Sequence, residues 1–435
     1  MFNCSNCDSQ HLKWQGRCTE CGKWGTLSEG EMPNAKNTKS KKGGAIAAPI
    51  LDLGNATSQI VNHQPTGISE LDRVLSGGIV PGSVTLIAGE PGIGKSTLVA
   101  QITASSPEPP LTSNLKGAGP LYVSGEESEG QVLMRFKRIG IAPDRISFSN
   151  SVEIGSIIAA ARKLMPSLLV VDSIQTMISY EADALPGTPT AVRAATAELI
   201  GFAKSTQVPV LIIGQVTKEG SIAGPKTLEH LVDTLLTLEG DKNSQYRILR
   251  SSKNRFGSTD EVGIFEMTSS GMTAVLNPSA RFLEERTQTP GSVVTCVMEG
   301  TRPLLVEVQA LAEKSYFANP IRRTSGFDPG RLQMLLAIIS KRAGISVSGH
   351  DVYVNVVGGM KIKETAADLA VCAAVISSIK EKTPQADAVF IGELGLGGEV
   401  RTVPFLDRRL KEAERLGFKN AITPKNLKSI RELGF

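Results

Sequence analysis

This chain of 435 residues is short of several things at once. Aromatic side chains make up 5% of it, with two tryptophans and five tyrosines. No apolar run approaches the roughly 18 residues of a membrane-spanning helix, so no membrane span is expected. The opening stretch, MFNCSNCDSQ, has no basic segment followed by an apolar one. A secretory signal is therefore not expected, and the expected location is the cytoplasm. Net charge is small, +4 from 47 basic and 43 acidic side chains. That balance permits nucleic-acid binding without arguing for it, because attraction depends on local patches. Cysteine is scarce, six in all, and unevenly spread. Cys296 and Cys372 lie in apolar surroundings and read as buried reduced thiols. Cys4, Cys7, Cys18 and Cys21 crowd into the beginning of the chain, where a reducing compartment favours metal binding over disulfides.

What is present is ordinary for a globular protein: 41% hydrophobic and 21% charged residues, in a length that suggests two or three domains. Four stretches emerge. Residues 1–30 hold the cysteine cluster. Residues 31–57 are polar, lysine-bearing and punctuated by Gly and Pro, so they are expected to form a flexible linker. From 58 to about 275, the apolar runs VTLIAG, LYVSG, LLVVDS, VPVLIIG and YRILR alternate with helical patterns in KSTLVAQI, EGQVLMRFKRI and TPTAVRAATAELIGFAK. That alternation predicts an α/β domain with a parallel sheet covered by helices. From 280 to 435 the pattern changes to a separate α+β domain. Helices are expected in DPGRLQMLLAIISKRAG and KETAADLAVCAAVISSI, a strand in HDVYVNVVGG and a strand pair in AVFIGELGLGGEVRTV. No internal repeat of solenoid period is found.

Three motifs carry chemistry. CSNC and CTEC place two C-x2-C knuckles ten residues apart. Four thiolates suit tetrahedral Zn²⁺ at about 2.3 Å per bond, and a segment this short has no core, so the metal would supply most of its folding free energy. A redox dithiol is the competing reading, but paired knuckles favour a closed structural site. GEPGIGKST, residues Gly89, Glu90, Pro91, Gly92, Ile93, Gly94, Lys95, Ser96 and Thr97, fits the phosphate-binding loop G-x-x-x-x-G-K-[ST]. Its amides wrap phosphates, Lys95 reaches the β- and γ-phosphates of ATP, and Ser96 is placed to ligate Mg²⁺ at a helix N-terminus. Asp172 closes the strand LLVVDS, where a carboxylate would hold the metal's water shell.

Other residues have two readings each. Glu126 and Glu127 follow the strand LYVSG. Either would deprotonate the attacking water, with Glu126 preferred, or both are solvated acids in a helix's first turn. Gln215 ends another strand, as a γ-phosphate sensor or a plain surface amide. In SSKNRFGSTDE, Lys253 and Arg255 sit at the end of an expected strand, Tyr246–Arg250. Two cations one residue apart there suggest a site, either for a transferring phosphoryl group or for DNA phosphates. Lys218 and Lys226, in the Gly-bearing stretch VTKEGSIAGPKTLEH, are salt-sensitive DNA contacts or ordinary surface lysines. The Pro-rich stretch near 106–120 is expected to be a surface loop.

CSNCDSQHLKWQGRCTECGKW, TGISELDRVLSGGIVPGSVTLIAGEPGIGKST, YVSGEES, VTKEGSIAGPKTLEHLVD and KNRFG, in this order, resemble the RadA (Sms) family of bacterial DNA repair proteins. The resemblance covers essentially the whole chain. It implies a RecA-like ATPase that assembles as a homo-hexameric ring, binds single-stranded and branched DNA, and drives branch migration beside the RecA recombinase. It also implies, by likeness to DnaB-type rings, that Lys253 and Arg255 reach the neighbouring subunit's nucleotide. Residues 280–435 resemble the Lon protease domain. Ala366 or Ala367 stands where such proteases carry serine, and Asp407 where they carry lysine, so proteolysis is not expected. A regulatory RecA-fold ATPase without DNA is the third reading, disfavoured by the zinc knuckle and KNRFG.

One Zn²⁺ per chain is expected on Cys4, Cys7, Cys18 and Cys21. Elemental analysis of a Cys4→Ser, Cys18→Ser double variant should find the zinc gone and the ATPase core still folded. Full zinc occupancy in that variant would refute the assignment.

Overall fold

The computed structural model describes residues 2–4, 10–11, 16–18, 23–29, 62–106, 119–182, 184–215, 225–240, 245–316 and 319–434. The expected linker at 31–57, Cys7, Cys21, Lys218 and most of the Pro-rich stretch lie outside the described residues. The chain divides into two compact units, residues 1–59 and 60–435.

In the first unit, β1 (Phe2–Cys4), β2 (Gln10–His11) and β3 (Leu27–Glu29) form an antiparallel sheet in the order β2-β1-β3. Arg17 bridges Trp24, and the Cys18 amide donates to the Lys23 carbonyl at 2.9 Å. The Cys18 side chain is fully buried.

The second unit is built on two sheets. The larger has nine strands: β4 (Val84–Gly89), β5 (Leu121–Ser124), β6 (Ser147–Ser149), β7 (Leu169–Asp172), β8 (Val210–Gln215), β9 (Thr234–Glu239), β10 (Tyr246–Asn254), β11 (Val262–Thr268) and β12 (Gly271–Ala274). They lie in the order β12-β11-β10-β9-β4-β8-β7-β5-β6. Strands β9 through β6 pair in parallel, as the alternation of apolar runs and helices predicts. The expected parallel sheet is extended at the other edge, where β9, β10, β11 and β12 pair antiparallel. Short connections make that possible, since only parallel neighbours need a long crossover. β10 also runs four residues beyond the expected Arg250, through a bulge between Ser251 and Lys253, and so takes in Lys253.

Helices cover both faces of this sheet. α1 (Ser69–Val74), α2 (Lys95–Ser105) and α3 (Glu129–Arg138) pack on Ile87, Tyr122, Val170 and Leu236. α4 (Ile154–Leu164) and α5 (Pro189–Thr206) pack on Leu86, Val123, Val171 and Ile212. Every β4 side chain is buried, which is why a strand with helices on both faces reads as a continuous apolar run. α6 (Pro225–Leu228) carries Lys226, whose side chain lies outside the described residues.

After α7 (Pro278–Leu283) comes the second sheet, of β13 (Ser292–Glu299), β14 (Arg302–Lys314), β15 (Arg322–Ser325), β16 (His350–Val356), β17 (Ala388–Phe390) and, later in the chain, Asn420–Ile422. The expected strand pair in 388–403 is three short strands. β17 joins the sheet, while β18 (Glu393–Leu394) and β19 (Val400–Arg401) form their own hairpin; Asn420–Ile422 is then β20. α8 (Pro329–Ile338) and α9 (Asp368–Lys380) cover one face, and α10 (Leu406–Arg415) packs with Ala366 in a smaller cluster.

The two sheets share polar and apolar ties. The Glu70 carboxylate, fully buried on α1, accepts from the Ile264 amide at 2.9 Å and from Arg302 at 2.6 Å. Arg250 bonds Glu239 at 3.1 Å on one side and Glu299 at 2.5 Å on the other. The Tyr246 ring meets Phe282 edge-on at 4.9 Å.

Candidate functional site

The carboxyl ends of β4, β8, β7 and β5 converge on one rim of the large sheet, the usual place for ligands in open α/β sheets. β4 runs straight into the Gly-rich loop, and α2 starts at Lys95. Gly94 has φ +112, a conformation other residues resist. A Cβ on Gly89 would stand 2.6 Å from the Leu238 carbonyl on β9. The Lys95 ammonium is folded into the loop and donates to the Gly89 and Glu90 carbonyls, both at 2.9 Å. Burial lowers its pKa, and the nearby Asp172 and Glu126 carboxylates pull the other way.

Asp172 sits beside the loop, buried at the end of β7. It accepts a hydrogen bond from the Tyr122 hydroxyl at 2.7 Å, with Arg135 at 3.8 Å and the Ser96 side chain close enough to help hold its pKa down. Burial raises its pKa; the Tyr122 hydrogen bond and Arg135 hold it down. Ser96 and Asp172 thus join two hard oxygen donors at a helix N-terminus, a donor set that suits Mg²⁺.

The adjacent carboxylates Glu126 and Glu127 part company. Glu127 is ion-paired with Arg135 on α3, and burial raises its pKa. Glu126 is exposed and accepts from the Ser173 hydroxyl and from the Gln215 amide, the latter at 3.3 Å. Glu126, Asp172, Gln215, Lys95 and Ser96 therefore gather on one rim. Tyr122, Arg135 and Ser173 belong to the same cluster, and nothing in the sequence singled them out. Tyr122 sits inside an apolar strand run, and Arg135 lies eight residues from Glu127 on a helix whose polar face gives no hint of a partner.

Lys253 and Arg255 are elsewhere. β10 runs antiparallel to β9, and β9 parallel to β4, so Lys253 faces Leu235 and Asn254 faces Thr234, the partner of Thr85. This is the start of β4, not its end. The Arg255 amide donates to the Asp233 carbonyl and its guanidinium to the Asp233 carboxylate, each at 3.1 Å. Asp233 in turn accepts from the Val84 amide at 3.1 Å. Five residues of β4 separate that level from Gly89, about 16 Å at the rise of a strand. Arg255 is half exposed. Lys253 donates to the Glu229 carbonyl at 2.7 Å, and burial and Arg255 lower its pKa. The turn between them is rigid: Asn254 accepts from the Phe256 amide at 2.9 Å, and a Cβ on Gly257 would collide with Ser76. In the second sheet Ala366 and Ala367 are buried, and Asp407 pairs with Lys425 at the surface at 3.2 Å.

A P-loop rim with a buried acidic strand end on a helix-covered sheet defines an ATPase of the RecA-like class. Residues 64–158 match the family model of KaiC, an ATPase, residues 333–426 that of subunit ChlI of Mg-chelatase, and residues 2–29 the rubredoxin metal binding domain. The chain is 47% identical over 426 residues to DNA repair protein RadA of Aquifex aeolicus, covering 98% of this chain and 93% of that one. It is 45% identical to the RadA of Pseudomonas aeruginosa, with 98% and 92% covered, and 44% identical to that of Bacillus subtilis, with 97% and 92% covered. The solved RadB recombinase matches with a TM-score of 0.38 at 24% identity, over 48% of this chain and 98% of that one. The chain belongs to the RadA family of DNA repair proteins. No helix among the described residues is long and apolar enough to cross a membrane.

Replacing Tyr122 with Phe removes the hydrogen bond that holds the Asp172 pKa down. Asp172 should then take up its proton at higher pH. The acid limb of the ATPase pH–rate profile at subsaturating Mg²⁺ should move to higher pH. An unmoved acid limb would show that the bond does not govern Asp172.

Proposed function

We propose that this protein is a DNA-dependent ATPase that drives branch migration of recombination intermediates. It acts in homologous recombination and repair in the cytoplasm, on single-stranded and branched DNA, beside the RecA recombinase and as a homo-hexameric ring. Its membership of the RadA family supports the repair role. The observation that carries the ring is the separation of Lys253 and Arg255 from their own chain's loop. Cations about 16 Å away along a strand cannot touch that γ-phosphate. A second subunit's nucleotide is the target this reading gives them.

In this reading the loop amides of residues 89–96 and Lys95 hold the phosphates of ATP. The Lys95 ammonium exchanges its two carbonyl acceptors for phosphate oxygens. Ser96 and Asp172 would hold Mg²⁺, which would supply positive charge against the phosphates. Glu126 takes the proton from the attacking water, with Ser173 and Gln215 fixing its carboxylate. Gln215, close to both Glu126 and the γ-phosphate position, reports hydrolysis along β8 towards the segment carrying Lys218 and Lys226, which would grip DNA phosphates. Arg255 and Lys253 of the next subunit stabilise the charge leaving with the γ-phosphoryl group. Zn²⁺ would be held by Cys4, Cys7, Cys18 and Cys21, and the fully buried Cys18 thiol suits such a closed structural site. The domain limits 58–275 and 280–435 belong to the same reading. Its Lon-like part acts as a scaffold and DNA contact rather than a protease, because alanines stand at the nucleophile's position.

Glu126→Gln should keep nucleotide affinity and slow hydrolysis by about 10²–10⁴-fold. Glu127→Gln, which removes only the partner of Arg135, should cost much less. Wild-type turnover in Glu126→Gln would move the base elsewhere.

The ring is tested by mixing. Arg255→Ala and Lys95→Ala should each be nearly inactive alone. Mixed before assembly, they create junctions with an intact loop from one chain and an intact Arg255 from the next, so activity should partly return. A tagged chain that co-purifies its untagged partner proves exchange. If exchange is proven and hydrolysis stays at background, the cross-subunit role fails and Arg255 is better read as a DNA contact.

A further inference from the structure

The flank of the P-loop opposite the catalytic cluster opens into a cavity of about 330 Å³, within the size range of small-ligand sites. Its walls come from both sheets. Gly89, Glu90 and Ile93 form one side, and the end of β9 forms the floor. The opposing side is Gly359, Lys361 and Lys363 from the turn after β16. Two consecutive glycines with positive φ, Gly358 at +81 and Gly359 at +71, bend the chain there and bring the lysines towards the loop. A Cβ on Gly358 would stand 3.0 Å from the Phe282 ring, so that turn has no room for a larger residue. Lys361 and Lys363 are exposed, and neither has a hydrogen-bond or ion-pair partner among the described residues. Glu239 and Glu299, also in the lining, are both paired with Arg250, so Lys361 and Lys363 bring donors without acceptors to this cavity.

Sheet order says which part of a nucleotide would meet them. Glu126, Asp172 and Gln215 lie on the β8–β7–β5 side of β4, so the γ-phosphate points that way. With the β-phosphate in the loop, the α-phosphate and nucleoside must leave on the other flank. There β9 is the neighbour of β4 and the cavity begins. We propose that this cleft receives the nucleoside half of the bound nucleotide, with Lys361 and Lys363 of the segment after β16 as hydrogen-bond donors to its sugar and base. The proposal rests on the nucleotide reading above and adds that the second sheet is part of the nucleotide site in the same chain.

The test uses the full chain and two competitors for a fluorescent ADP, unlabelled ADP and inorganic tripolyphosphate. In the Lys361→Ala, Lys363→Ala double variant, ADP affinity should fall about tenfold, the effect of losing charge-assisted hydrogen bonds. Tripolyphosphate, which has no nucleoside to place in the cleft, should compete within about twofold of its wild-type constant. The Lys361→Arg, Lys363→Arg variant should restore most of the ADP affinity, which a merely misfolded turn would not allow. Unchanged ADP affinity in the alanine variant overturns the proposal. So does an equal loss for ADP and tripolyphosphate, which would make the lysines a general field. A Lys95→Ala control separates the two levels: if ADP binds the wild type and Lys95→Ala equally, the P-loop reading itself fails.

Discussion

Strand direction is the constraint on which this molecule turns. β9 runs with β4 and β10 runs against it, so the phosphate loop and the Lys253–Arg255 pair are fixed at opposite ends of one rigid sheet. Hydrogen-bonded ladders of buried strands do not slide, because a one-residue slip would turn every buried side chain to the wrong face. The separation is therefore a property of the fold rather than of a particular conformation. It leaves the phosphate loop and the cation pair too far apart to act on one nucleotide within one chain. The bulge between Ser251 and Lys253 and the tight Asn254–Gly257 turn hold the cations at the far rim, anchored through Asp233 to the first residue of β4.

A second constraint is the fastening of the two sheets. Glu70 is fully buried and its carboxylate spans α1, β11 and β14, so neither sheet can shift without stranding a charge. The Glu239–Arg250–Glu299 chain does the same nearer the nucleotide rim. Here the C-terminal sheet is a physical extension of the ATPase rim. Behind that sheet Arg409 is buried on α10 and held by Glu364 at 2.6 Å, while Asp407 faces solvent.

Much of this was legible in the residues. Motifs contiguous in the chain were readable because their chemistry needs neighbours in sequence: nine residues make a phosphate loop on one strand–loop–helix. Buried parallel strands were readable because helices on both faces leave only apolar side chains. The antiparallel edge of β11 and β12 was not foreseen, nor the long β13–β14 hairpin, nor α4. Their mixed faces resemble loops or other helices when read locally, and what stabilises them is packing from distant segments.

The sequence by itself determined the chemistry on offer: a phosphate loop, an acid at a strand end, two candidate bases, a paired-knuckle thiol set, and a cation pair in KNRFG. Only the tertiary structure decided which of them come together. Tyr122 reaches Asp172 from fifty residues away, and Gln215 reaches Glu126 from eighty-nine. Glu127 differs from Glu126 in its pairing with Arg135, a helix residue whose reach depends on how α3 packs on β5. The side of the sheet on which Lys253 and Arg255 lie followed from the sense of two strands. No local pattern encodes that sense, because a strand's residues alternate the same way whether its neighbour runs with it or against it.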